Sequence, residues 1–125
     1  MGNGSSFMIG KFDEYVTVKY VAGVKVITKA HKNTKESDNT PFYSHTPNTM
    51  YARRNDKGKV VQIAVYENNK KIKDIEWGHK HGKYDVGVVH VQDYNILTGR
   101  SIEARDPTPE ELMIANKVRK EDHYE

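Results

Sequence analysis

A β-hairpin is indicated by the stretch Met50-Tyr-Ala-Arg-Arg-Asn-Asp-Lys-Gly-Lys-Val-Val-Gln-Ile-Ala-Val-Tyr66. Its second arm, Val60-Val-Gln-Ile-Ala-Val-Tyr66, is rich in the β-branched and aromatic residues that favour extended chain. Between them, Asn55-Asp-Lys-Gly58 has the composition of a tight turn, because Gly58 can adopt a positive φ at no steric cost. We therefore predict two antiparallel strands here, and the rest of the sheet is built outward from them.

Downstream, the chain continues as a meander. After a turn at 67–70, a third strand is predicted over Ile72-Lys-Asp-Ile-Glu-Trp77. Gly78-His-Lys-His-Gly82 then breaks the extended pattern, and a fourth strand is predicted over Val86-Gly-Val-Val-His-Val-Gln92. Four successive strands with short connections form an antiparallel meander.

Upstream, the alternating runs at 14–21 and 24–29 flank Ala22-Gly23 and predict a further hairpin. Residues 30–48 lose this periodicity and hold two prolines with many Asn, Ser and Thr, so they predict a long loop. Residues 1–11 have the Gly/Ser character of a flexible leader or linker.

The C-terminal region predicts one helix, at about 109–121. Thr108-Pro-Glu-Glu111 combines a capping residue, a proline at the first helical position and a glutamate at the third. We expect the helix to pack on the sheet through Leu112, Met113 or Ala115, and Val118, and we expect Trp77 to be buried. The predicted class is α+β: an antiparallel sheet, made of a hairpin and a four-strand meander, with one C-terminal helix in a single domain over 12–125.

Composition narrows the function classes. The chain has 125 residues, a formal net charge of +3 and no cysteine, which excludes a disulfide scaffold, a thiolate zinc site and a cysteine nucleophile. No apolar run approaches the roughly 20 residues that a membrane helix needs, so we predict a protein without a membrane partner. Residues 103–125 are net acidic, which leaves the basic excess on the strand region. That excess is either a surface for a polyanion or a solvated, lysine-rich sheet.

Three histidines fall within twelve positions: His79, His81 and His90. If the third and fourth strands pair around the turn, the three imidazoles cluster at one end of that hairpin. They could then serve as nitrogen ligands of a metal, oriented by Asp74 or Asp93. The pattern of two close histidines and a distant third is weak, so we favour neither a metal nor another cofactor. An equally simple reading makes His79 and His81 solvated loop residues and His90 a half-buried sheet residue.

The same histidines suit metal-independent RNA cleavage, which needs a base, an acid and cations that stabilise the charge on phosphorus. We name His90, His79 and His81 as the catalytic candidates, with His90 preferred because a strand fixes its direction. The candidates for phosphate or base contacts are Arg53, Arg54, Lys73, Tyr51, Tyr66 and Tyr94.

A resemblance supports this hypothesis. The segments 51–66, 71–81 and 89–94 contain a glycine hairpin that ends in Tyr, an Asp-Ile-Glu-Trp strand, a His-Lys-His turn and a later histidine strand. Together they resemble a domain found at the C-termini of bacterial polymorphic toxins and in small phage or mobile-element proteins. The likeness covers about residues 46–106. It departs at His90-Val-Gln92, where the family has a second His pair, and at Val89, where the family often has proline.

The resemblance implies a nuclease toxin or a phage accessory protein. Our leading hypothesis is a ribonuclease-like domain that binds RNA and meets a cognate immunity or phage protein. The alternatives are a non-catalytic binding or structural protein of a phage or mobile element, and a hydrolase with a histidine-bound metal. We expect the protein in the cytoplasm, or delivered as part of a larger secreted toxin.

Overall fold

The computed structural model describes residues 15–29, 40–55 and 57–121; the predicted leader and the 30–39 part of the predicted loop lie outside the described residues. The described elements are β1 (Tyr15–Val21), β2 (Val24–Lys29), β3 (Thr49–Arg54), β4 (Val60–Glu67), β5 (Lys70–Glu76), β6 (His90–Asp93) and α1 (Pro109–Glu121). The strands form one sheet in the order β1 to β6. All neighbours pair antiparallel except β2 and β3, which are parallel. The predicted α+β class is confirmed.

The fourth strand of the meander is shorter than predicted. It begins at His90, whereas the prediction placed its start at Val86. Gly87 adopts a φ of 91°, which ends the extended pattern, and its N–H donates to the Trp77 carbonyl oxygen at 2.7 Å. Val86 and Val88 are consequently exposed and belong to the turn, and His90 is the first residue of the strand rather than an interior one.

One surface of the sheet, here called the helix face, carries the main core. Strand residues Val26, Ala52, Ile63, Ile75 and Val91 are fully or almost fully buried and pack into one apolar cluster with α1. The residues between them point to the opposite surface, where Ile27, Tyr51, Ala64 and Tyr66 form a second, smaller apolar cluster. Trp77 belongs to the main cluster and has no exposed surface, which confirms its predicted burial.

Helix α1 begins directly after its predicted cap. The Thr108 hydroxyl accepts from the Glu111 N–H, and the Glu111 carboxylate accepts from the Thr108 N–H, at 3.2 and 2.8 Å. The expected burial of Ala115 and Val118 is confirmed. The expected packing of Leu112 is wrong, since it is exposed, and Met113, the alternative to Ala115, is exposed as well. Glu111 faces the sheet together with Ala115 and Val118, and a helix places the next two positions after Glu111 on other sides. Within the described chain, no helix has the length and apolar character to cross a membrane.

The opposite surface, here called the polar face, is covered in part by residues 40–44. Tyr66 donates its hydroxyl hydrogen to the Pro41 carbonyl oxygen, and the hydroxyls of Ser44 and Tyr51 lie 3.2 Å apart. Backbone bonds from Ser44 N to Asn69 O (2.9 Å) and from Lys71 N to Phe42 O (2.7 Å) attach the segment to the strands. This part of the predicted loop is therefore a fixed cover, and it leaves the His90 end of the face to other residues.

Candidate metal centre

Four side chains meet at one end of the polar face, where β5 ends and β6 begins. Glu76 is the last residue of β5 and His90 the first of β6, and the two are direct partners in the antiparallel register. Such partners present their side chains to the same face. The turn between the strands supplies His79 and His81. The structure thus brings the three predicted histidines together and adds Glu76.

The Glu76 carboxylate lies at the centre of this cluster. One ligand atom from each of the four residues lies within 4.8 Å of the other three. Glu76 Oε1 lies 3.3 Å from His90 Nε2, 3.7 Å from His79 Nε2 and 4.0 Å from His81 Nδ1. The side chains of His90 and Glu76 are 0% and 9% exposed, those of His79 and His81 57% and 38%. The centre has a buried floor of Glu76 and His90 and a solvent-facing rim of His79 and His81.

The orientation of the His90 ring is fixed from both sides. Its Nδ1 lies 3.1 Å from the Val88 carbonyl oxygen, which can only accept, so Nδ1 carries the hydrogen of this bond. The ring of Tyr84 stacks on the imidazole with centroids 5.0 Å apart and planes 19° from parallel. The buried Nε2 atom then points at the cluster and has no hydrogen-bond partner among the described residues.

The Glu76 carboxylate lies in an unfavourable place for a negative charge. Burial raises the pKa of Glu76, the nearby Asp74 raises it further, and the three histidines act in the opposite direction. A buried carboxylate of this kind is stabilised by a cation beside it. The cluster therefore combines a carboxylate that needs positive charge with nitrogen atoms able to bind a metal.

Backbone contacts fix the turn that carries His79 and His81. The N–H and C=O groups of His81 and Tyr84 form two reciprocal hydrogen bonds of 2.9 Å. Gly82, inside this small loop, has a φ of 57°. At Gly78 any side chain would clash with Val61, which brings the start of the turn against β4. The two rim histidines are thereby carried on a closely held loop.

The carboxylates predicted for the metal site are not in the cluster. Asp74 is buried one cross-strand row away, where it accepts hydrogen bonds from Gln62 Nε2, Lys71 Nζ and Tyr94 OH. Asp93 lies on the helix face and is paired with Arg105 at 2.6 Å. Glu76 takes the place predicted for them. Glu76 lies two positions after Asp74 on the same strand, so its side chain points to the same face and is nearer the histidine turn. This spacing is the signal that could have selected it.

The predicted nucleic-acid residues are divided between the two faces. Arg53 shares the cross-strand row of Glu76 and donates from Nε to Gln62 Oε1 at 3.1 Å. Lys73 lies on the helix face, 2.6 Å from Glu111, and is not brought together with the histidines. Arg54 pairs with Val60 near the β3–β4 turn. The three tyrosines lie on the polar face, where Tyr51 and Tyr66 are buried and Tyr94 donates to Asp74 at 2.6 Å.

A cleft of about 380 Å³ opens beside the cluster and includes His81 in its wall. The remaining wall comes from the turn, from β6 and from the segment after it, through Lys83, Tyr84, Gln92, Ser101 and Glu103. The Gln92 amide donates to the Ile102 carbonyl oxygen, and both residues line the cleft. A molecule of modest size can therefore reach the rim of the cluster.

Comparison with known proteins adds no precedent for this arrangement. No family model, no curated protein and no solved structure matches the chain. The function is therefore inferred from the geometry of the cluster.

Proposed function

We propose that this protein is a metal-dependent hydrolase whose centre holds a divalent transition metal through Glu76, His79, His81 and His90. The observation that supports it best is the buried pair of His90 Nε2 and Glu76 Oε1, 3.3 Å apart. Imidazole nitrogen and carboxylate oxygen are ligand atoms that zinc accepts, and zinc in proteins needs no thiolate.

The lone pairs of His90 Nε2 and Glu76 Oε1 favour a cation between these two atoms. Because His90 Nδ1 donates to Val88, the neutral ring has a lone pair at Nε2. A lone pair of Glu76 Oε1 faces it, so the two atoms repel each other unless a proton or a metal lies between them. His79 and His81 bring two further nitrogen atoms to the same point. A proton would be shared by only two of these atoms, whereas a metal ion could bind all four.

The exposed rim makes hydrolysis the fitting chemistry. A metal held by these residues would supply Lewis-acid chemistry on the side of His79 and His81, whose side chains are open to solvent. Zinc in catalytic sites lowers the pKa of bound water to about 7, so hydroxide forms at neutral pH. Such chemistry would suit hydrolysis of a phosphodiester, in which water adds to phosphorus and the leaving oxygen takes up a proton.

RNA is the proposed substrate. This choice draws on the resemblance to toxin-type domains, on the basic excess of the strand region and on Lys80 and Lys83, which flank His81 in the sequence. The metal-independent alternative uses the same histidines and Glu76 as acid and base, and the buried His90–Glu76 pair favours it as the second candidate. Dependence on a metal separates the two mechanisms.

Metal binding is tested first. Titration of the chelator-treated protein with Zn²⁺, followed by calorimetry, should show one site in the wild type. Glu76→Gln and His79→Ala should weaken binding by about 10-fold or more, since each removes a ligand. Glu67→Gln and His45→Ala, which change exposed residues at the other end of the β4–β5 pair, are the matched controls. Equal binding by all five proteins contradicts the proposed centre.

Activity is tested with labelled RNA in the presence and absence of a chelator. Cleavage that the chelator stops and Zn²⁺ restores supports the proposal. Cleavage that the chelator leaves unchanged, but that His90→Asn abolishes, supports the acid–base alternative. If the protein binds metal but does not cleave RNA, the metal centre stands and the proposed hydrolase activity is contradicted.

A further inference from the structure

We propose that Tyr84 and Asp106 position His81 and His90 for metal binding, acting as a link between the histidine turn and the segment before α1. The inference rests on the proposed metal centre and adds two residues that lie outside its ligand set. Both are positioning residues, since neither is a ligand in the cluster of four.

The first step of the argument is the contact of Tyr84 with the floor of the centre. Tyr84 is 8% exposed, and its ring stacks on that of His90 with the centroids 5.0 Å apart. The Nδ1 bond to Val88 alone would let the ring tilt, and the rings of His79 and His81 meet His90 edge-on, at 5.7 and 5.3 Å. A stacked ring blocks this tilt and so keeps Nε2 directed at Glu76.

The second step is the contact of Tyr84 with the rim. Its N–H and C=O groups bond to the C=O and N–H groups of His81, both at 2.9 Å. Movement of Tyr84 therefore moves His81 as well. One residue thus determines the position of one floor ligand through its side chain and one rim ligand through its backbone.

The third step is the anchor of Tyr84 itself. Its hydroxyl donates to Asp106 Oδ1 at 2.6 Å. A tyrosine hydroxyl is protonated at neutral pH, so it is the donor in this bond. Asp106 is held in turn, because Arg105 Nη1 donates to its carbonyl oxygen at 3.1 Å and to Glu111 of the helix at 2.9 Å. The link thereby extends from the histidines to α1.

The test compares four variants in the full chain. Tyr84→Phe keeps the stacked ring and removes the hydroxyl, and Asp106→Ala removes the acceptor from an exposed position. Asp106→Asn keeps an oxygen that can accept from Tyr84 and serves as the conservative rescue. Asp85→Ala, an exposed aspartate of the same turn that pairs with Lys80, is the matched control.

Three quantities are measured for each protein: the dissociation constant for Zn²⁺ by competition with a chromophoric chelator, the visible absorption of the Co²⁺ form, and the melting temperature without metal. We expect Tyr84→Phe and Asp106→Ala to weaken Zn²⁺ binding by about 10-fold and to alter the Co²⁺ bands. Asp106→Asn should recover most of the affinity, and Asp85→Ala should match the wild type.

Wild-type affinity and an unchanged Co²⁺ spectrum in both Tyr84→Phe and Asp106→Ala overturn the positioning role. A fall in melting temperature with unchanged metal binding also overturns it, because the link would then be purely structural. Should Tyr84→Phe fail to fold, Asp106→Ala and Asp106→Asn decide the question alone. A wild type that binds neither Zn²⁺ nor Co²⁺ overturns the metal centre itself, which is a separate readout from the comparison of variants.

Discussion

At the scale of single residues, the polar face contains a buried ion pair, Lys71 with Asp74, around which other side chains form hydrogen bonds. Lys71 is 3% exposed, and burial lowers its pKa while the charge of Asp74 opposes that change. Its Nζ donates to Asp74 Oδ2 at 3.2 Å and to the Thr40 carbonyl oxygen at 3.0 Å. Asp74 also accepts from Gln62 and Tyr94, so both charges are well hydrogen-bonded. Such a pair tolerates the loss of both partners better than the loss of one.

We predict that Lys71→Met lowers the free energy of unfolding by about 3 to 5 kcal/mol, because it leaves the Asp74 charge buried and without its cation. The double variant with Asp74→Leu should lose less than the single variant. Urea denaturation measures both, and Lys80→Met, on an exposed turn, is the control. A single variant as stable as the wild type would contradict the buried pair.

Glu76 supplies a second prediction at this scale. A carboxyl whose pKa is raised in the folded state weakens the fold as pH rises from its ordinary pKa of 4.5 through the raised value, because the folded state then holds the charged form at a cost. Without metal, Glu76→Gln should therefore raise the melting temperature at pH 7, although it weakens Zn²⁺ binding. Thermal unfolding in a chelator measures this, with Glu67→Gln as control. A lower melting temperature would mean that attraction by the histidines outweighs the cost of burial.

At the scale of elements, a polar residue sets the orientation of α1. Glu111 receives hydrogen bonds from Arg105 Nη2 at 2.9 Å and from Lys73 Nζ at 2.6 Å, which attach the first helical turn to the sheet. Ala115 and Val118 follow on the same side and fill the core, whereas Leu112 and Met113 are turned outward. The charged anchor, rather than the largest apolar side chains, decides which side of the helix faces the sheet.

This anchor predicts a pH dependence. Burial raises the pKa of Glu111, but hydrogen bonds from Arg105, Lys73 and the Thr108 backbone outweigh burial and lower it to about 2. The stabilisation is complete above about pH 4.5 and is lost as pH falls toward 2, because the unfolded state binds the proton first. Glu111→Gln should cost on the order of 1 kcal/mol at pH 7, since Arg105 is partly exposed and its pairing is screened. Denaturation between pH 2 and 7 should show the two proteins converging at low pH; a constant difference contradicts the assignment.

The pairing of β4 with β5 contains a β-bulge that determines which side chains of β5 share the polar face. Val65 pairs with Lys73 and Tyr66 with Lys71, so β5 has one extra residue at this point. Such a bulge places Lys71 and Asp74, three positions apart, on the same face. Strict alternation would have separated them. The buried ion pair therefore depends on the register shift.

At the scale of the whole molecule, Trp77 joins the sheet, the histidine turn and the helix. Its indole N–H donates to the Val60 carbonyl oxygen at 3.0 Å, and its own carbonyl accepts from Gly87 N–H at 2.7 Å. The guanidinium of Arg119 lies over its ring at 5.4 Å and also donates to the Gly87 carbonyl oxygen. The residue that closes the core thus also holds the turn that carries the rim histidines.

We predict that Trp77→Ala lowers the free energy of unfolding by about 3 to 5 kcal/mol, as expected for removal of a fully buried large ring. Chemical denaturation followed by far-ultraviolet circular dichroism measures it, and Tyr20→Ala, at an exposed position of β1, is the comparison. Equal stability of the Trp77→Ala and wild-type proteins would contradict the assignment of Trp77 to the core.

The sequence by itself determined the features that follow from local chemistry. The turn at Gly58, the capping box at Thr108 and the alternation of apolar residues depend on neighbours in the chain, and each predicted its element. The grouping of His79, His81 and His90 was also predictable, since antiparallel pairing of the two strands brings the end of one beside the start of the other.

Only the tertiary structure decided which polar groups share a face. Register selected Glu76 rather than Asp74 or Asp93 as the carboxylate beside the histidines, and it placed Lys73 on the opposite side. A shift of one residue in pairing reverses every side chain of a strand, and neither the bulge in β5 nor the turn at Gly87 is specified by period-two alternation. The hydrogen bond between Tyr84 and Asp106 joins residues 22 positions apart, so no local pattern could reveal it.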